Sequence, residues 1–293
     1  MGAIGGMDLG RFGIWTFDFE EQPASRMRDS IQELEGLGWP AFWIPERDGR
    51  EAMTHAGFLL SATERIRIVN GIAKIWSREP RWTQGAAVLL ADAYPGRHLV
   101  GLGVGDARPG VKPLEAMAGY LAELDATTSA NPRPEAPMRR LLAAYGPKML
   151  QLAADRADGA HTYHVTVRHT AQAREVLGDK AFLGVEHAVL FETDPDRARA
   201  IAREHLHVYF TQRYNIAKFL RLGYTEADLD GGRGSDRLVD DLVFWGDLDT
   251  ITRKLNEHLD AGADHVGIQV IGTEPGGSAM PQWRRLAEAL LPG

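Results

Sequence analysis

The stretch IRIVNGIAKIW at residues 66–76 shows the pattern that decides the fold of this chain. It is a short β-rich apolar run, and seven similar runs occur, each bounded by glycine, proline or aspartate. The eight predicted strands are Phe12–Phe17, Ala41–Pro45, Ile66–Trp76, His98–Gly103, Arg140–Ala144, Ala160–Val165, Ala188–Phe191 and His265–Val270. Segments with helical period separate most of them, as at Met27, Ile31 and Leu34. Repeated strand–helix units predict parallel strands joined by right-handed crossovers.

The number of strands favours one closed α/β barrel. Eight strands in 293 residues match a (β/α)8 or TIM barrel, whereas a doubly wound sheet usually has fewer strands. We therefore predict a single domain over residues 1–293. Two stretches exceed a minimal barrel: the proline-rich loop Thr127–Pro137 and a helical insertion at about His205–Gly246. We expect both over the strand ends or at their rim, the second as a lid in which Ser235 and Asp247 cap helices.

The composition limits the possible partners and chemistry. Apolar residues make up 44% and charged residues 25% of the chain, as in globular proteins with a large core. The net charge of −7, with scattered basic residues, disfavours nucleic acid and anionic membranes and favours a small-molecule partner. The absence of cysteine excludes disulfides, cysteine-ligated zinc and thiolate catalysis, and fits a reducing compartment. With neither a signal-like leader nor a run of membrane-spanning length, we expect a cytoplasmic protein.

Candidate functional residues follow the second and third predicted strands, because catalytic groups of parallel barrels lie at the carboxyl ends of strands. Glu46 directly follows the second strand, where a carboxylate is either functional or part of a loop ion pair. Gly71 interrupts the third strand, which indicates a bulge or a close backbone approach, or a glycine needed for barrel curvature. Lys74 and Trp76 alternate in phase, so both could face the mouth, although Trp76 could equally pack at the rim.

Two glycine-containing turns are candidates for holding a flat ligand with a phosphate. GLGVGD at residues 101–106 resembles a dinucleotide fingerprint but has Asp106 at the fourth motif position, so it is better interpreted as a small-residue strand end. In AAYGPKML at residues 143–150, Pro147 suits the first position of a helix. The free N–H groups there, together with Lys148, could bind a phosphate, or the turn could simply start an ordinary helix.

Metal and serine-hydrolase sites have no support in the sequence. His161 and His164 are three apart in a predicted strand and therefore point to opposite faces. His205 and His207 also diverge on a helix, and the chain contains neither HExxH nor GxSxG. We therefore predict no metal centre.

The ordered set of segments is similar to a known family. The segments that show the similarity are FWIPERDGRE at 42–51, GIAKIW at 71–76, ADAYPGRHLVGLGVG at 91–105, AAYGPKMLQLAADRADGAHTY at 143–163, GSDRLVDDLVFWGD at 234–247 and HLDAGADHVGIQV at 258–270. In this order they resemble the luciferase-like monooxygenase superfamily and, within it, the coenzyme F420-dependent oxidoreductases of actinobacteria. The resemblance implies a usually dimeric (β/α)8 barrel with insertions at the carboxyl-end face and a coenzyme at its mouth.

The resemblance also implies roles for individual residues. A bulge at Gly71, Ile72 and Ala73 would press against the central ring of the deazaflavin F420. The residues that would hold its phosphate and tail are Gly103, Gly105, Asp106, Tyr145, Gly146, Pro147 and Lys148. Glu46 would exchange a proton during hydride transfer to or from a small organic substrate, with Trp76 and His164 shaping the pocket.

Two alternatives remain open. The first is a monooxygenase that uses reduced FMN and oxygen, because the fold is common to both chemistries. The second is a barrel that has lost coenzyme binding, because only seven residues separate Gly105 from Pro113 where relatives have a longer loop. An acidic Asp106 in that loop would also repel an anionic tail.

Overall fold

Eight parallel strands form a closed barrel in the computed structural model, which describes residues 3–4, 6–47, 49–105, 108–128, 130–273 and 277–291. The barrel strands are β1 (Phe12–Trp15), β2 (Ala41–Ile44), β3 (Arg67–Asn70), β4 (His98–Gly103), β5 (Arg139–Ala143), β6 (Gly159–Thr162), β7 (Phe182–Leu190) and β8 (His265–Val270). Each strand pairs with the next one in the chain, and β8 pairs with β1 opposite Ile14, which closes the ring. The predicted (β/α)8 barrel is confirmed.

Helices surround the barrel and join its strands. Their bounds are α1 (Ala24–Gly36), α2 (Ala52–Ser61), α3 (Pro80–Ala93), α4 (Pro113–Ala126), α5 (Pro147–Arg156), α6 (Val167–Leu177), α7 (Pro195–Phe210), α8 (Arg213–Arg221), α9 (Glu226–Leu229), α10 (Asp236–Leu242), α11 (Leu248–Asp260) and α12 (Met280–Leu290). Short 3-10 helices occur at Asp18–Glu20 and Asp230–Gly232. Within the described ranges, no helix is both long and apolar enough to cross a bilayer.

Alternation along the strands builds two apolar layers. One layer fills the barrel and includes Trp15, Trp43, Val69, Leu99 and Leu141. Strand neighbours such as Phe42, Ile68 and Leu142 belong instead to the larger layer between barrel and helices. Both faces of every strand are therefore buried, which explains why the strands are near-continuous apolar runs in the sequence.

Two predicted strands have different bounds in the structure. The third is interrupted after Asn70, and the chain pairs with β4 again only at Ala73–Lys74. The seventh begins at Phe182, six residues before its predicted start. Its middle contains Glu186 and His187, both fully buried. These polar residues break the apolar run on which the prediction depended.

The longest connection, between β7 and β8, contains the predicted helical insertion. It holds α7 to α10 and a short strand, Val243–Trp245, that pairs with the end of β7. These helices have an apolar cluster of their own, which includes Leu206, Phe210, Phe219, Leu238 and Leu242. Ser235 and Asp247 accept hydrogen bonds from the N–H groups of Leu238 and Thr250, so both predicted helix caps are confirmed.

The proline-rich loop Thr127–Pro137 has a different location from the predicted one. It joins the end of α4 to the start of β5, so it lies at the amino-end face of the barrel rather than over the carboxyl ends of the strands. The side chain of Asn131 reaches the carbonyl of Gly85 in α3. Because a segment before a strand must reach the amino end of that strand, its chain position determines the face.

Candidate active site

A cavity of about 840 Å³ lies at the carboxyl ends of the barrel strands. Its walls come from residues that follow β1 to β6 and from the side chains of α7 and α8. The volume lies in the range of small-molecule and cofactor sites, and the position is the one that barrel enzymes use. We therefore treat this cavity as the candidate active site.

The bulge predicted at residues 71–73 forms part of the cavity wall. The peptide bond between Gly71 and Ile72 is cis, and both residues line the cavity. Ala73 is buried and pairs with β4, so it does not face the cavity. A Cβ atom at Gly71 would lie 2.7 Å from Trp15 Nε1, closer than any real side chain tolerates. The glycine is thus required by close approach of the Trp15 indole.

Glu46 lines the cavity but is held on both of its carboxylate oxygens. Oε2 accepts from the backbone N–H of Lys74 at 2.5 Å, and Oε1 pairs with the guanidinium of Arg78. Arg78 also contacts Glu51, with Nε donating at 2.9 Å. Hydrogen bonds between ionised partners are strong, so this pairing fixes the segment after the bulge.

Trp76 lines the cavity next to a cation. Its indole N–H donates to the carbonyl of Val104 at 2.6 Å, which ties the segment after β3 to the end of β4. The guanidinium of Arg108 lies 4.6 Å from the centre of a Trp76 ring. Trp76 therefore both links two loops and presents an aromatic surface, as the sequence pattern allowed.

His164 was predicted to shape the pocket, but it does not line the cavity. It is fully buried behind Tyr163, whose ring centre lies 4.0 Å away. Its backbone has a left-handed φ of 47°, which turns the chain out of the direction of β6. The His164 N–H donates to Glu186 at 2.9 Å, and its carbonyl accepts from Lys218 at 2.6 Å. His164 thus connects the barrel to α8.

Glu186 and Lys218 form a buried polar cluster that the sequence did not reveal. Burial raises the pKa of Glu186 to about 8 and lowers the pKa of Lys218 to about 7. The Lys218 ammonium also lies 4.6 Å from the centre of the Tyr145 ring, which forms part of the cavity wall. A lysine inside a helical pattern is usually solvated, so only the fold could show that this one is buried.

The residues predicted to hold a phosphate fall into three groups. Gly105, Tyr145 and Gly146 line the cavity. Pro147 begins α5 as predicted, but Pro147 and Lys148 are exposed and do not belong to the cavity wall.

The remaining two glycine-turn residues lie elsewhere. Gly103 is buried behind the wall, since a Cβ there would lie 2.6 Å from the side chain of Ile72. Asp106 lies outside the described residues.

Four basic side chains line the cavity, although the chain as a whole carries a net charge of −7. They are Arg47, Lys74, Arg108 and Arg221. Among the described wall residues the acidic side chain is Glu46, which is already paired with Arg78. An excess of positive charge in a cleft attracts anionic groups. Because the four come from separate loops and from α8, no local sequence pattern could identify them.

The inner part of the cavity is aromatic, and the sequence reasoning missed most of it. Trp15, His161 and Tyr163 line it from the barrel, and Tyr209 lines it from α7. The hydroxyl groups of Tyr163 and Tyr209 are 2.9 Å apart. No group of three metal-ligating side chains exists within the part of the chain that the structure describes.

The (β/α)8 barrel, the bulge after its third strand and the cavity at its mouth agree with what the resemblance found in the sequence implies. The family model described as luciferase-like monooxygenase matches residues 7–113. The chain is 25% identical to a Mycobacterium tuberculosis protein provisionally named a coenzyme F420-dependent oxidoreductase, over 85% of this chain and 91% of that protein. The resemblance inferred from the sequence is thereby confirmed.

Solved structures share the fold at lower identity. The F420-dependent tetrahydromethanopterin reductase of Methanopyrus kandleri superposes with a TM-score of 0.69 at 17% identity, covering 95% of this chain and 97% of that one. The oxygenating constituent of 3,6-diketocamphane monooxygenase from Pseudomonas putida, in complex with FMN, gives a TM-score of 0.64 at 14% identity, covering 95% and 96%. Deazaflavin-dependent and flavin-dependent proteins are therefore both structural neighbours.

Proposed function

We propose that this chain transfers a hydride between the deazaflavin coenzyme F420 and a small organic substrate in the cavity at the barrel mouth. The observation that carries the proposal is the cavity wall itself. Gly71 and Ile72 line the cavity together with the aromatic side chains of Trp15 and Tyr163, and such a wall suits one face of a flat ring. The bound deazaflavin would supply the hydride chemistry, while the protein binds and orients the reactants.

The charged residues fit the tail of such a coenzyme. Gly146 leaves open backbone at the wall, with Arg221 next to it, and Gly105 lies under the side chain of Lys74. The side chain of Lys74 packs on Gly105, and a guanidinium nitrogen of Arg221 would be 3.9 Å from a Cβ at Gly146. We assign the anionic tail to this side of the cavity.

We assign Glu46 a positioning role in this proposal. Both of its oxygens are engaged, by Lys74 and by Arg78, so it orders the loop that follows the bulge. Trp76 would form an adjacent aromatic wall. His164 would act indirectly, through its contacts with Glu186 and Lys218.

FMN-dependent oxygenation is the second candidate function. The structural neighbour with bound FMN and the same cationic wall support it, because FMN also carries a phosphate. A barrel without any coenzyme is less well supported, since the cavity is roomy and its wall carries four basic side chains.

The test is a titration of the purified full chain with oxidised F420 and with FMN, followed by ligand fluorescence at low and at moderate salt. We expect F420 to bind more tightly than FMN, and we expect salt to weaken the binding of F420 because it screens the charges. Arg221→Gln should lower the affinity for F420 about threefold, because it removes one exposed cation. Arg253→Gln, on α11 and far from the wall, should leave it unchanged. Tighter FMN binding favours the second candidate, and binding of neither coenzyme refutes both.

A further inference from the structure

Arg47 is an exposed cation at the cavity wall. It lies three residues after the end of β2 and lines the cavity. No acidic side chain of the described residues forms an ion pair with it. The neighbouring carboxylate of Glu46 does not do so, because Lys74 and Arg78 engage both of its oxygens. The N–H donors of Arg47 are therefore available to a ligand.

The ring of Phe17 holds the guanidinium of Arg47 at the wall. The guanidinium carbon lies 4.9 Å from the centre of this ring, and Phe17 also lines the cavity. Phe17 itself packs edge-on against Trp15, with ring centres 4.7 Å apart. An arginine stacked on an aromatic face keeps the N–H donors at the edge of its planar fork free. The stack therefore presents the cation in a defined place.

Arg47 and the place assigned to the coenzyme tail lie on opposite sides of the bulge. The strands follow one another around the barrel in chain order, so the loops after β1 and β2 and the loops after β4 and β5 flank β3 on its two sides. Phe17 and Arg47 follow β1 and β2, whereas Gly105 and Gly146 follow β4 and β5. With the tail at the two glycines and the coenzyme ring beside Gly71, the side that carries Arg47 is left for the substrate.

The other charged groups near Arg47 do not take this role. Arg50 donates to the carbonyl oxygens of Phe19 and Gln22 and is not part of the cavity wall. Glu20 is near enough for its charge to interact with that of Arg47, but its carboxylate lies 3.7 Å from His55 Nδ1, outside the wall. Glu20 therefore moderates the positive charge on this side without occupying the guanidinium.

We propose that Arg47, held on Phe17, binds an anionic group of the substrate. The guanidinium fork donates two hydrogen bonds to a carboxylate or to a phosphate, since both match its geometry. The rest of the substrate extends along Trp15 toward the coenzyme beside Gly71. The proposal rests on the proposed function for the place of the coenzyme, and it names the substrate class as a small organic anion.

The test measures the binding of para-fluorobenzoate, para-fluorophenyl phosphate and the neutral para-fluorobenzamide to the full chain, with and without F420, by fluorine NMR. At low salt we expect at least one of the two anions to bind about fivefold more tightly than the amide, because it pairs with one exposed cation. Arg47→Gln should abolish this preference without changing the affinity for the amide. The anion that loses more affinity in this variant identifies the group as a carboxylate or a phosphate.

Two further variants separate the role of Arg47 from that of any arginine. Arg47→Lys keeps the charge but loses the planar fork, so it should retain only part of the preference for the anion. Arg81→Gln is the matched control, because Arg81 is also exposed and lies 4.9 Å from an aromatic ring, that of Trp82, but outside the cavity wall. This control should leave all three affinities unchanged. Thermal denaturation checks the fold of each variant.

The proposal is overturned if the anions bind no more tightly than the amide. It is also overturned if the preference survives Arg47→Gln, because another cation of the wall then holds the anion. A loss of F420 affinity in Arg47→Gln as large as the loss for the anions overturns it too, because Arg47 then holds the coenzyme. If F420 does not bind but the preference that depends on Arg47 remains, the proposed function fails and the anion subsite stands.

Discussion

At the scale of single residues, Gly71 gives the sharpest prediction about the cavity wall. In Gly71→Ala the new methyl group would lie 2.7 Å from Trp15 Nε1 and 3.2 Å from Trp43 Cε3. Both indoles are buried and belong to the apolar layer inside the barrel, so a shift of either disturbs that layer. Overpacking of this kind costs about 1–3 kcal/mol. Urea denaturation of the variant should show a loss of that size.

Gly119→Ala is the matched control for that change. Gly119 is exposed within α4, and a Cβ there would meet nothing within 4 Å. Because alanine is the better helix former, this variant should gain about 0.5–1 kcal/mol. Similar effects of the two substitutions on the free energy of unfolding would show that the close approach at Gly71 does not affect stability.

The sequence could predict some site residues because their signal is local. Gly71 interrupts an apolar strand, and this alone indicated the bulge. The alternation rule also separated His161 from His164, but His164 lies beyond β6, which ends at Thr162, and the rule could not say which of them faces the cavity. That depends on how β6 sits in the ring and on the left-handed turn at His164. The pairing of Glu46 with Arg78 joins residues 32 apart and left no local trace.

At the scale of elements, Asp247 tests how α11 is held at its start. Its side chain accepts from the Thr250 N–H at 2.9 Å, a bond that no other group there supplies among the described residues. Asp247→Ala should therefore destabilise the protein by about 1 kcal/mol, the usual value of a helix cap. Thermal denaturation measures the change.

Asp249→Ala separates capping from charge. Asp249 is also an acidic residue in the first turn of α11, but it does not cap the helix. Its carboxylate interacts favourably with the helix dipole, and the loss of this interaction in Asp249→Ala should cost about 0.3–1 kcal/mol. The cap assignment fails if Asp249→Ala costs as much as Asp247→Ala.

The sequence predicted those parts of helices and strands that are marked by residues close together in the chain. Caps such as Ser235 and Asp247 need only a polar residue ahead of a helical pattern, and both are present in the structure. The start of β7 was missed because Glu186 and His187 are polar but buried, and burial follows from the whole barrel. For the same reason the sequence could not show that Lys218 of α8 is enclosed by the barrel end.

At the scale of the whole molecule, the histidines make the barrel sensitive to acid. Nine of the ten histidines have a lowered pKa, and burial is the first cause for each. The values for His55, His98 and His265 fall to about 4. The unfolded chain, with histidine pKa values near 6.5, binds more protons between these limits. Glu186, Asp18 and Glu20 have raised pKa values and act in the opposite direction, but they are three groups against nine.

The contribution of the buried histidines to the free energy of unfolding should therefore be fully developed above pH 6.5 and fall steadily toward pH 4. Between pH 7 and pH 5 each buried histidine can remove roughly 2 kcal/mol, so we expect a total loss of at least about 4 kcal/mol. Urea unfolding at pH 7, 6 and 5 measures it, in a range where most carboxylates stay ionised. His55→Leu, which removes one buried ring, should reduce the slope with pH by about one proton. A stability that stays constant between pH 7 and pH 5 would contradict the burial of these rings as neutral groups.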